Sequence, residues 1–66
     1  MNITVNEKPQ NISDGLTIRE LLAGLRLDKT PVVVEVNEVI VPRENYSSYR
    51  FAKDDRVEIL RFVGGG

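Results

Sequence analysis

The sequence closes on Arg61-Phe62-Val63-Gly64-Gly65-Gly66, and the three glycines are the residues with the plainest chemical use. Glycine has no side chain to pack and loses the most backbone entropy on ordering, so such a run is expected to hang from a fold as a flexible thread. Its reach is at most ~10 Å when extended. The chemical group it offers is the carboxylate of Gly66, which a partner enzyme could draw into a narrow channel, gripping the bare backbone of Gly64 and Gly65. Fraying is the ordinary fate of a glycine-rich terminus. The use of this one therefore depends on what precedes it.

Elsewhere the sequence is poor in catalytic groups. Among its 66 residues there is no cysteine and no histidine, which removes disulfides, thiolate metal sites and the usual general base. Nine basic residues against ten acidic ones leave a net charge of −1. That balance argues against a nucleic-acid partner, which would require a basic stripe. No apolar run approaches the ~20 residues of a membrane span, and the start lacks the charged-then-apolar layout of a signal peptide. A soluble cytoplasmic protein with no nucleic-acid or membrane partner is expected. Its single small core should supply no more than about 3–5 kcal/mol of net stability.

The elements that must position the terminus follow from periodicity. Met1 to Val5 alternates apolar and polar, a half-buried strand with Met1, Ile3 and Val5 inward. Asn6-Glu7 is a hairpin turn, and Pro9 confines the returning strand to a sheet edge. Thr17 with Glu20 forms a capping box, and Leu16 with Leu21 the matching hydrophobic staple. Ile18, Leu21, Leu22 and Leu25 then fall on one helical face, with Gly24 expected as the stop and Arg26 beside the negative end of the helix dipole. Two turns of helix do not persist alone, so this one must pack on a sheet.

Val32-Val33-Val34-Glu35-Val36 is a β-branched strand with Val32, Val34 and Val36 inward. Asn37-Glu38 repeats the first turn, Val39-Ile40-Val41 returns, and Pro42 ends it. Arg43 to Tyr46 suits a single helical or 3₁₀ turn, with Tyr46 or Tyr49 covering the core edge, and Lys53-Asp54-Asp55 is a polar turn. In the final strand, Arg56 to Val63, Val57 and Ile59 point to the helix side. Leu60 and Phe62 fall on the helix-free face beside Val33, a candidate docking surface next to the glycine thread. Strand, edge strand, helix, two strands, turn and a central last strand parallel to the first make an α+β roll: a mixed four- to five-stranded β-grasp sheet with one helix on one face. Residues 1–63 are read as that domain and 64–66 as its tail.

In this order, and in particular motifs, the chain resembles the ubiquitin-like sulfur-carrier proteins, most closely the small carriers of thiamin thiazole synthesis. The motifs are Val36-Asn37-Glu38-Val39-Ile40-Val41-Pro42-Arg43-Glu44, an aromatic at Tyr46, Asp55-Arg56-Val57-Glu58-Ile59 opening the last strand, and Gly65-Gly66. Asp54 stands where such proteins often have glycine, which asks for a residue that tolerates left-handed backbone; Gly64 lengthens the tail by one. The resemblance implies that an E1-like adenylating enzyme uses MgATP to activate the Gly66 carboxylate. A persulfide, supplied through a cysteine desulfurase, then converts it to a thiocarboxylate, and thiazole synthase accepts the sulfur. On that reading the chain binds no cofactor, contributes no catalytic residue or metal ligand and is a protein co-substrate rather than an enzyme. The alternatives are a carrier for molybdopterin synthesis or tRNA thiolation, a modifier conjugated to lysine amines through Gly66, and a β-grasp interaction module with an inert tail.

Overall fold

The computed structural model describes residues 1–62. Seven short elements follow one another: β1 (Asn2–Val5), β2 (Lys8–Asn11), α1 (Ile18–Gly24), β3 (Val32–Val36), β4 (Val39–Ile40), a 3₁₀ turn (Arg43–Asn45) and β5 (Arg56–Arg61). The five strands form one mixed sheet in the order β2-β1-β5-β3-β4. β5 runs parallel to β1 and antiparallel to β3, and β2, which carries Pro9, lies at an edge. This is the expected β-grasp roll, with five strands of which β4 has only two residues.

Both hairpins turn through two residues in left-handed backbone, with φ of 49° and 70° at Asn6 and Glu7 and 52° and 70° at Asn37 and Glu38. Positive φ at both central positions is the conformation whose twist matches the flanking strands. Asparagine accepts it readily, whereas glutamate does so under the constraint of the closed ladder. Asp54, at φ 67°, takes the left-handed conformation expected of it.

The helix packs on one face of the sheet. Ile18 is completely buried, with Leu21 and Leu22 nearly so, over Ile3, Val34, Val36, Val57 and Ile59. Burying one such branched side chain contributes about 1.5–3 kcal/mol, and a helix of this length depends on such packing because it does not persist alone. The capping box forms as expected: the Thr17 N–H donates to Glu20 Oε1 at 2.9 Å, and the Glu20 N–H donates to Thr17 Oγ1 at 3.2 Å. Backbone bonds from Ile18 N–H to the Tyr49 carbonyl and from Arg19 N–H to the Tyr46 carbonyl tie the helix start to the segment before β5.

Three local expectations are corrected. Gly24 is the last helical residue and not the left-handed stop. That conformation falls on Arg26, at φ 61°, where the Arg26 N–H donates to the Ala23 carbonyl and the Leu27 N–H to the Leu22 carbonyl. This is a Schellman closure with arginine in glycine's place. Leu25 does not join the buried face; it has left the helical phase (φ −90°, ψ 1°) and is 43% exposed. Asp55 is not part of a solvated turn but is buried. It accepts hydrogen bonds from the Ala52 N–H, Asn37 Nδ2 and the Tyr49 hydroxyl at 2.8, 3.0 and 3.2 Å.

Candidate functional site

The site is the end of β5 and the sheet face beside it. Gly64, Gly65 and Gly66 lie outside the described residues, so the geometry here is that of their root. β5 is gripped along its length by both hairpin turns. At its start, Asn37 Oδ1 accepts the Arg56 N–H at 2.9 Å, while its Nδ2 bonds Asp55. Further along, Asn6 Oδ1 accepts the Ile59 N–H at 2.8 Å and Nδ2 donates to the Ile59 carbonyl at 3.3 Å. β1 has already turned away at that point, so the Asn6 amide stands in for the next peptide of the ladder. Among the described residues, the last backbone tie is from the Phe62 N–H to the Pro31 carbonyl, at 3.3 Å. The chain thus leaves a strand held on both sides almost to its end.

Val33 and Leu60 are directly opposed in the β3–β5 ladder, which places their side chains on one face. That face is the one without the helix, since their neighbours Val34 and Ile59 are buried beneath α1. Leu60 is 52% exposed, Phe62, next in phase, 63%, and Val33 is half-buried. The three residues singled out from the sequence therefore lie together. Sequence reasoning missed a fourth, Ile40, which sits opposite Glu35 on that face and is exposed. Its signal was present: a returning strand in register with Val36 must put Ile40 on the side of Glu35. Acidic groups adjoin these apolar ones, with Glu35 and Glu58 directly opposed. Like charges facing each other across a ladder cost stability and leave that part of the face anionic.

The described residues contain no group of three or more histidine, cysteine, aspartate or glutamate side chains placed to hold a metal ion. Glu20 and Tyr49, both part of the scaffold, are perturbed titratable groups. Burial raises the Tyr49 phenol above its ordinary value, with the neighbouring Asp55 carboxylate adding to the shift. The backbone and side-chain hydrogen bonds from Thr17 lower the Glu20 carboxyl. The Thr17 hydroxyl lies 3.1 Å from Glu20 Oε1, but both groups are committed to capping the helix. No helix among the described residues is long and apolar enough to cross a membrane.

Residues 2–66 match the ThiS family. A crystal structure of a thiamine biosynthesis protein (ThiS) from Geobacter metallireducens superposes with a TM-score of 0.84 at 38% identity, all of both chains being covered. The chain belongs to the ThiS family. The chain is also similar to the sulfur carrier protein ThiS of Bacillus subtilis, 42% identical over 50 residues and 76% of each chain. The thiazole synthase of Magnetococcus marinus is 38% identical over all 66 residues of this chain, which spans only 20% of that protein's length. ThiS proteins are small sulfur carriers, and the described residues have the layout of that fold: a five-stranded sheet whose last strand is paired with β1 and β3 and bonded by both hairpin turns.

Proposed function

We propose that this chain carries sulfur on the carboxyl group of Gly66 and delivers it for assembly of the thiamin thiazole ring. Membership of the ThiS family, by a match running through Gly66, is the observation that carries this reading. The likeness of the whole chain to a segment of a thiazole synthase supports the choice of acceptor.

The chemistry follows from the limits of a carboxylate. Its charge repels nucleophiles and its oxide is a poor leaving group. An adenylating enzyme using MgATP joins a Gly66 oxygen to the α-phosphorus and releases pyrophosphate. A persulfide sulfur then attacks the acyl carbon and expels AMP. Cleavage of the resulting acyl disulfide by a thiol leaves the thiocarboxylate, a soft anionic nucleophile for thiazole synthase. The chain's own part is recognition: Leu60, Phe62 and Val33 dock the partner, and Gly64 and Gly65 admit the terminus to a channel that a Cβ would obstruct. Glu35 and Glu58 favour a partner whose apolar contact is bordered by basic side chains.

The test is intact-mass spectrometry after incubation with the adenylating enzyme, MgATP and a persulfide donor. A fraction with one oxygen replaced by sulfur at Gly66 is expected. Thiazole formation in cells by a variant lacking Gly65 and Gly66 would overturn the proposal.

A further inference from the structure

On the helix side, between α1, the α1–β3 loop and the 3₁₀ turn, lies a cleft of about 470 Å³ whose rim carries Arg19, Lys29 and Arg43. Asp28 is the one acidic residue lining it, and the ion pairs among the described residues, Met1 with Asp14 and Arg56 with Glu38, engage none of the three cations. Nor does any of the three side chains make a hydrogen bond to another described residue. Three uncommitted cations from three separate elements thus surround one concavity in a chain of net charge −1. Low-dielectric walls focus such a field into the cleft. Leu22 and the half-buried Tyr46 line it as well, giving an apolar surface beneath the charges. The walls are held in place, because the Arg19 N–H donates to the Tyr46 carbonyl at 3.0 Å.

We propose that this cleft binds a small molecule carrying phosphate groups. Two guanidinium forks match phosphate oxygens in pairs, and the lysine adds a point charge. The volume is that of a small-ligand site. This site is separate from the β5 terminus and does not depend on sulfur transfer.

The experiment is a titration of the full chain with pyrophosphate at constant ionic strength, followed by amide chemical shifts. Saturable changes confined to Arg19, Leu22, Lys29, Arg43 and Tyr46 are expected. The double variant Arg19→Gln/Arg43→Gln should weaken binding by at least ~10-fold, since it removes the charge-assisted bonds. Both side chains are exposed and make no hydrogen bonds to the scaffold, so the variant should retain the parent's spectral dispersion. Shifts no larger than those produced by chloride, shifts scattered over the surface, equal binding of glutarate, or an unchanged affinity in the double variant would each overturn the proposal.

Discussion

Asn6 and Ile59 are joined by a reciprocal pair of hydrogen bonds across 53 residues of chain, where β1 has stopped and β5 continues. Asn6 therefore has two tasks, a left-handed turn at φ 49° and a substitute peptide for the central strand. Glycine performs the first and not the second. Asn6→Gly should cost about 1–3 kcal/mol, the net worth of two intramolecular hydrogen bonds with no steric penalty added in the folded turn. A urea melt followed by circular dichroism measures the loss. Amide exchange should quicken at Ile59 more than at Val34 in the next strand. Equal acceleration at both would mean that the bonds stabilise the sheet as a whole and not the strand leading to the terminus.

Arg26 carries the opposite expectation. It closes α1 in left-handed backbone, which glycine adopts at no steric cost and arginine does not. The closing hydrogen bonds come from backbone N–H groups, its own included, which glycine would keep, and the Arg26 side chain is exposed. Arg26→Gly should therefore stabilise the domain by about 0.5–1.5 kcal/mol, seen as a higher urea midpoint at unchanged slope. The greater freedom of glycine in the unfolded chain sets the upper limit on the gain.

Local patterns and long-range contacts divide what was legible in the sequence. The capping box, both Asn-Glu turns, the edge position forced by Pro9 and the phase of β5 each depend on residues within a few positions of one another, and all are present. The contiguity of Val33, Leu60 and Phe62 followed from phase alone. Asp55 was hidden because its burial is decided by Asn37, 18 residues away, and by Tyr49, while its immediate neighbours Lys53 and Asp54 are exposed. Phe51, a buried core residue, lies in an irregular segment with no period to reveal it, and Gly24 drew attention from Arg26 because arginine is not an ordinary left-handed residue. The terminal glycines lie outside the described residues.

The capping box makes part of the stability pH-dependent. Hydrogen bonds from Thr17 hold the folded-state value of Glu20 below that of the unfolded chain. Its contribution is therefore present above the unfolded value and is lost as pH falls through the folded one. Glu20→Gln keeps an acceptor for the Thr17 N–H without a titrating group. Urea midpoints taken near neutral pH and at about pH 3, below the ordinary carboxylate range, should fall less in this variant than in the parent. An identical fall would assign acid sensitivity to other carboxylates.

Phe62 separates docking from folding. Its ring is 63% exposed and follows the last residue of β5, so truncation removes little buried area, while its N–H still reaches Pro31. Phe62→Ala should shift stability by less than about 0.5 kcal/mol, as surface substitutions do. At an interface the same ring would be an aromatic anchor, whose removal typically costs 2 kcal/mol or more, roughly a 30-fold loss of affinity. The two quantities can be read on one sample, by urea melt and by calorimetric titration with the adenylating enzyme. Val33→Ala should behave differently: Val33 is half-buried against Leu60, so its truncation is expected to lower stability as well as affinity. A large loss of stability in Phe62→Ala with no loss of affinity would move the docking surface away from this face.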